Sequence, residues 1–229
     1  MPDLAARMAF IRDHTRSLPV ASVPGVSLYQ ADEVTPLWLM TEQALDQARL
    51  APPFWAFAWS GGQALARYIL ENPALVRGKR VLDMACGSGL VGIAALKAGA
   101  ASALCNDIDP YAEVAVALNG QLNGVAPVFL GGDLLHDDPP ADIDLILAGD
   151  ICYEKAMSEA MLSYFRRAAR HTIAVYIGDP HRTYFPYASV DAGLKKVAAY
   201  TILTHADIED GDEKAASVWQ METSHGHKA

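Results

Sequence analysis

The chain predicts an α/β fold: a mostly parallel seven-stranded sheet with a terminal antiparallel hairpin, plus an N-terminal helical extension. Three observations carry this. From Lys79 onward, short apolar runs alternate with helix-length segments, the rhythm of strands buried on both faces with helices on each side. The first such run, VLDMACGSGLVG from Val81 to Gly92, passes from apolar strand through an acid and a glycine turn into an apolar helix start. The last two β-like runs flank a short acidic turn and read as a hairpin, so the final strand should run antiparallel.

The 229 residues suffice for one sizeable core. Hydrophobic residues make up 52 % and charged residues 20 %, a globular balance. The formal charge of -9 argues against a broad nucleic-acid footprint and suits small molecules or a basic segment of a protein partner. Cys86, Cys105 and Cys152 form no CxxC pair, each sits in or at the end of an apolar run, and they read as buried thiols of a reducing cytosol. His225 and His227 lie in a tail, and no zinc-spaced cluster occurs. The N-terminus lacks the secretory pattern. Arg7, Arg12 and Arg16 give it a basic face like that of a transit peptide, but Asp3 and Asp13 weigh against one. No apolar run reaches membrane-spanning length. A cytoplasmic monomer with no membrane, nucleic-acid or metal partner is expected.

Taken in order, residues 3–17 predict an amphipathic helix on Leu4, Met8, Ile11 and Phe10. Residues 18–35 hold Pro19, Pro24 and Gly25 and predict loop with one short strand at most. Helical spacing of Leu37, Met40, Ala44, Leu45 and Ala48 predicts a helix over 36–49, stopped by Pro52 and Pro53. Residues 1–50 thus form a helical cover and 51–229 the main domain. Residues 62–71 predict a helix with Ser60 as N-cap, ended by Asn72 and Pro73. Strands follow at 80–85, 102–106, 127–130, 143–148 and 172–177, with helices at 90–98, 110–123 and 155–170. A further helix is expected near 188–198, then strands from Tyr200 and from Lys214. The acidic run between them, with Asp210, Gly211 and Asp212 as turn, reads as a solvated loop tip. Trp38, Trp55 and Trp59 are either core or the wall of a site.

An acid-ended strand with a glycine loop, followed about two dozen residues later by ALCNDIDP, is a nucleoside-cofactor site on a parallel sheet. Ala85, Gly87 and Gly89 space the loop as A-x-G-x-G, one residue short of the dinucleotide pattern in its second gap. This spacing resembles the Rossmann-like class I S-adenosylmethionine-dependent methyltransferases, whose first motif is an acid followed by G-x-G-x-G. Ala85 departs from it. The resemblance covers roughly residues 53–222 and implies roles for particular residues. Gly87 and Gly89 let the backbone approach the methionine moiety, and Asp83 holds its ammonium directly or through water. Asp107 accepts both ribose hydroxyls. Asp109 competes for that role or caps the helix beginning at Pro110. Asp133, after Gly132, falls at the adenine. Ile108, Gly149 and Trp59 complete the implied cofactor set, with S-adenosylhomocysteine as product and no metal.

The acceptor side is carried by DLILAGDICYE, where nucleobase and glutamine methyltransferases resemble one another in N/D-P-P-Y/F. Here Asp150 and Tyr153 instead match the D-x-x-Y motif of seven-strand protein-lysine methyltransferases. WSGGQALARY, NDIDPYAEVAVALN and the GDP at Gly178 to Pro180 resemble the electron-transfer-flavoprotein β-subunit lysine methyltransferases. The resemblance implies that this β subunit is the partner. A free lysine, with a pKa of about 10.4, arrives charged and must lose a proton. Asp150 can draw in the ammonium and orient the amine, and Tyr153 can offer a ring face or hydroxyl. Asp150 could instead cap the helix at 155–170, and Tyr153 could pack beneath it. Cys152 reads as packing. Asp179 and Arg182 can line an acceptor groove, with His181 and Tyr184 weaker candidates. A ribosomal-protein or small-molecule methyltransferase stays open, as does a non-catalytic binding subunit.

Overall fold

The computed structural model describes residues 3–31, 52–186, 193–204, 209 and 211–222. The expected helix at 36–49, Trp38, Asp210, His225 and His227 lie outside the described residues. Seven strands form the main sheet: β3 (Arg80–Met84), β4 (Ser102–Asp107), β5 (Val128–Gly131), β6 (Leu145–Gly149), β7 (Ala174–Asp179), β8 (Leu194–Leu203) and β9 (Glu213–Met221). Their spatial order is β5-β4-β3-β6-β7-β9-β8. The first five run parallel and β9 enters antiparallel beside β7. The chain therefore switches direction between β3 and β6, the place where open α/β sheets bind ligands at their carboxyl ends.

Helices α2 (Ser60–Glu71), α3 (Leu90–Lys97), α4 (Pro110–Leu122) and α5 (Lys155–Arg170) flank the sheet. Two apolar layers hold it. One packs Tyr164, Phe165 and Ala168 of α5 on Ile146, Val175 and Ile177. The other packs Leu65 and Ile69 of α2 and Val91 of α3 on Val81, Leu145 and Val218. Beyond the exposed Arg80 at its start, strand 80–84 carries only Asp83 as a charge and strand 145–149 carries none, which is why their apolar runs read as strands.

Ahead of the sheet lie α1 (Leu4–His14) and a hairpin of β1 (Arg16–Pro19) and β2 (Ser27–Gln30). The loop expected over 18–35 is, as far as residue 31, part of a two-stranded ribbon, with residues 32–35 outside the described residues, and the helix expected to reach residue 17 stops at His14. Ile11 is buried while Leu4 is half exposed, so the helix's apolar face is narrower than its sequence implied. This unit sits on α4. Arg7 pairs with Glu113 and donates to the Pro110 carbonyl. The Asn119 Oδ1 accepts from the Tyr29 N–H at 2.7 Å, and its amide donates to the Ser88 carbonyl at 2.8 Å. One side chain thereby ties the N-terminal ribbon to the glycine loop.

Two other expectations change. Residues 194–198 are strand, not helix: β8 is ten residues long and pairs along β9 with a bulge between Lys196 and Ala198. The alanine-rich stretch has helical propensity, but β9 offers a full ladder, and tertiary pairing overrides propensity. Ser60 is the first residue of α2, and Trp59 takes the N-cap position.

Candidate active site

The WSGGQ segment fixes the site. The first turn of α2 crosses the ends of β6 and β7 at glycine-to-glycine contact. A Cβ on Gly149 would fall 2.7 Å from the Gly62 Cα, and one on Gly61 would fall 2.5 Å from both the Asp150 Oδ2 and the Gly178 carbonyl oxygen. Gln63 then staples the turn. Its Oε1 accepts from the Ser22 N–H at 3.2 Å and its amide donates to the Ala58 carbonyl at 2.6 Å. Close approach brings the Gly62 N–H to 2.9 Å from the Asp150 Oδ2, so the positive end of α2 faces that carboxylate.

A cavity of about 410 Å³ opens at the carboxyl ends of β3, β4 and β6. Most of the residues singled out from sequence line it: Trp59, Asp83, Ala85, Gly87, Asp107, Ile108, Asp133, Gly149, Asp150, Tyr153 and Arg182, and with them Trp55 and Asp109. Gly89 lies outside the lining as the N-cap of α3, with φ 76°, and Asp179 is buried behind it. Ala85 holds φ 50°, left-handed backbone that glycine adopts freely, so the departure from the family's glycine carries a strain of roughly 1 kcal/mol rather than a changed loop.

The acids divide their work. Asp83 is buried, and its Oδ2 accepts from the Gly92 N–H at 2.8 Å. Burial, only partly offset by that bond, pushes its pKa up to about 7. Asp107 receives the Gly87 N–H at 2.8 Å on Oδ2 and the Asp109 N–H at 3.0 Å on Oδ1, so it closes the glycine loop from the neighbouring strand. Asp109 is the helix cap: its Oδ1 accepts from the Tyr111 N–H at 2.8 Å. Asp133 makes a local turn through the Leu135 N–H. Ile108, 72 % exposed, projects an apolar side chain at the cavity beside these acids.

At the other end, Asp150 has φ 57° and an almost fully buried carboxylate. Its Oδ1 accepts from the Arg182 Nη2 at 2.7 Å and Nε at 3.1 Å. Burial raises its pKa and Arg182 opposes the rise. It does not cap α5, whose N-cap is Glu154. Tyr153 is 44 % exposed rather than packed under α5, its ring 5.2 Å from that of Phe54. The Trp59 indole N–H donates to the Phe54 carbonyl at 2.9 Å, and the Arg182 guanidinium lies 5.8 Å from the Trp59 ring centre. Trp55 is buried and stacks on Tyr111, so it is core as well as wall. His181 meets the Ser217 hydroxyl at 3.2 Å, and Tyr184 is exposed.

Sequence reasoning missed two residues here. Phe54 adjoins the quoted motif, and its aromatic character was the available signal. Glu209, from the acidic run read as solvated, is buried and pairs with the Arg182 Nη2 at 2.7 Å. Nothing in the spacing of that run marks one acid as inward. Cys86, Cys105 and Cys152 are buried free thiols, and burial raises the Cys152 pKa to about 12.

Asp179 yields a stability prediction. Its Oδ1 accepts from the Arg182 N–H at 2.9 Å, the His181 N–H also favours the carboxylate, and burial outweighs both to push its pKa to about 7. The folded protein therefore binds more protons than the unfolded chain between the ordinary carboxylate pKa and about pH 7, so this acid's contribution is lost as pH rises through that window. Asp179→Asn keeps the Oδ1 bond and removes the titration. It should lose less stability between pH 5 and pH 8 than the parent, read by urea unfolding at both. An unchanged difference would take the pH dependence from Asp179 and leave it with the other acids raised by burial, Asp83 and Asp109.

A family model described as ribosomal protein L11 methyltransferase (PrmA) matches residues 64–152. The electron transfer flavoprotein beta subunit lysine methyltransferase of Xenopus laevis is 34 % identical over 215 residues, 93 % of this chain and 86 % of the relative. That of Mus musculus is 38 % identical over 170 residues, 74 % of this chain and 67 % of the relative. Two crystal structures share the fold with a TM-score of 0.50. The ribosomal protein L11 methylase of Lactobacillus delbrueckii is 22 % identical, over 72 % of this chain and 81 % of that one. The magnesium protoporphyrin IX methyltransferase of Synechocystis, with bound SAM, is 15 % identical over 71 % and 80 %.

Proposed function

The chain belongs to the electron transfer flavoprotein beta subunit lysine methyltransferase family, and on that premise we propose that it methylates lysine side chains of that beta subunit with S-adenosylmethionine. The observation that carries the reading is Asp150: a buried carboxylate at the end of a glycine-lined cavity, beside the aromatic rings of Phe54, Trp59 and Tyr153. By the resemblance to class I methyltransferases, that strand end would face the transferred methyl.

The cavity fits the cofactor. Its volume is that of a small-molecule site, it is mostly apolar, and its few carboxylates stand at opposite ends. S-adenosylmethionine supplies a methyl group on a sulfonium, an activated leaving group that needs no metal. The chain's own residues hold and orient. Asp107, pinned by two backbone N–H groups, would take the ribose hydroxyls. Ile108 offers the adenine an apolar face, with Asp133 nearby. Gly87 leaves its own place in the loop bare of a side chain. Asp83 has spent one oxygen on Gly92 and would meet the cofactor's ammonium with the other or through water. On the acceptor side Asp150 attracts the lysine ammonium and orients the amine once its proton leaves to water. Tyr153 and Phe54 exclude water around it. A cytoplasmic monomer that needs no nucleic acid completes the proposal. Among the described residues no helix is long and apolar enough to cross a membrane, and no group of three or more potential metal ligands occurs.

A ribosomal-protein acceptor is the second reading, favoured by the L11 methyltransferase match. That match ends at residue 152 and so omits Tyr153, Asp179, Arg182 and Glu209. It speaks for the cofactor half, and the acceptor half decides the substrate. Label transfer to purified beta subunit and to ribosomal protein L11, side by side, separates the two: the proposal expects label on the beta subunit. Asp107→Ala should weaken S-adenosylmethionine binding by about tenfold or more in calorimetry, because hydrogen bonds to a charged group are lost. Unchanged affinity would remove the ribose role from Asp107.

A further inference from the structure

Glu209 reaches the acceptor end from the β8–β9 connection, outside the cavity lining. Its side chain is 1 % exposed. Its Oε1 accepts from the Arg182 Nη2 at 2.7 Å, and that same nitrogen donates to the Asp150 Oδ1 at 2.7 Å. Arg182 thus bridges two buried carboxylates, with two bonds to Asp150 and one to Glu209. Among the described residues the Glu209 Oε2 is buried with no hydrogen bond of good geometry, and the Ser60 hydroxyl is the group that steadies this carboxylate. A guanidinium carries donors on both terminal nitrogens in a fork that matches a carboxylate. A carboxylate oxygen accepts more than one bond, so Glu209 has room for a second bond from Arg182 beside Ser60, which a turn of Arg182 away from Asp150 would supply.

We propose that Arg182 is a stand-in for the acceptor lysine, filling the cation position on Asp150 at rest, and that Glu209 receives Arg182 when the lysine ammonium docks. The inference rests on the lysine-acceptor reading above. Its physical basis is that neither buried charge can be left unpaired. Asp150 without a cation is costly, and so is Arg182 without an anion. Two cations cannot share Asp150 closely without repulsion. An exchange in which Arg182 moves from two bonds on Asp150 to a fork on Glu209 keeps every charge paired throughout. The face of Trp59, 5.8 Å from the guanidinium, supports Arg182 along the way. Asp179, whose Oδ1 accepts the Arg182 backbone N–H, anchors the residue at its main chain and leaves the side chain to move. Glu209 is then a positioning residue that lowers the cost of admitting a charged amine.

The test uses the full chain, purified electron transfer flavoprotein and S-adenosylmethionine. In Glu209→Gln, Arg182 has no second anion to move to. The KM for the protein substrate should rise about tenfold, with kcat and cofactor affinity within about twofold of the parent. Glu209→Asp keeps the charge and should stay within about threefold of the parent KM. Removing the stand-in as well, in Arg182→Gln with Glu209→Gln, should bring KM back below that of the single Glu209→Gln variant. A parent-like KM in Glu209→Gln overturns the inference. So does a double variant no better than the single one, or an equal loss in Glu209→Asp and Glu209→Gln, each of which would mean packing alone. No transfer by the parent chain to the beta subunit would overturn the lysine-acceptor reading and the inference together. Transfer by the parent with any of the preceding results overturns the inference alone.

Discussion

Asp150→Asn is expected to cut methyl transfer about a hundredfold or more while leaving S-adenosylmethionine affinity within about twofold. The exchange is nearly isosteric. Asparagine tolerates the left-handed φ of 57° at this position, and its carbonyl oxygen can still accept the Gly62 N–H. What disappears is the negative charge that faces Arg182 and, in the proposal, the acceptor ammonium. Arg182 would keep Glu209 as its anion, so the fold should survive. Steady-state kinetics beside calorimetry separates the two effects. Turnover near that of the parent would leave Asp150 with only its structural bond to the start of α2.

Gly178→Ala should be the most damaging of the small substitutions, lowering stability by about 3 kcal/mol and transfer by at least about tenfold. A Cβ there would overlap the Gly61 carbonyl and stand 2.9 Å from the Leu65 Cβ. Gly178 pairs with Gly149 across β6 and β7, and Gly149 meets Gly62 in the same way, so the helix has no free direction in which to settle. Lifting α2 withdraws the Gly62 N–H from Asp150 and frees the staple made by Gln63. Thermal unfolding and activity read both parts. A variant as stable and active as the parent would mean that α2 is not held by glycine contact.

These positions show how far the sequence could be read. The sheet from β3 to β7 was legible because fully buried strands must be apolar and the crossover helices between them have their own period. The cofactor end was legible because a backbone-lined loop needs glycine, and the acids at strand ends stand next to it in sequence. Asp109 is the instructive case: cap and ribose ligand were both open in the sequence, and the Tyr111 N–H on its Oδ1 shows that it caps α4. The acceptor end is assembled from distant pieces, and sequence order does not report it. Gly61 and Gly178 were quoted within motifs, but their reason, a helix lying on two strand ends, exists only in three dimensions. Glu209 stands among five acids of one short run, DIEDGDE, and only the fold shows that this one turns inward. Of the helix expected near 188–198, residues 188–192 lie outside the described residues, and 194–198 are strand because helical propensity in an alanine-containing stretch yields to a long antiparallel ladder.

The central claim is that this cavity delivers methyl groups to lysine nitrogen on the electron transfer flavoprotein beta subunit. The most direct test is to incubate the purified chain with that flavoprotein and isotopically labelled S-adenosylmethionine, and then to fragment the beta subunit in a mass spectrometer. The account predicts mass gained in whole methyl steps, localised to lysine side chains and abolished by Asp150→Asn. A beta subunit of unchanged mass, with cofactor binding confirmed by calorimetry, would contradict it.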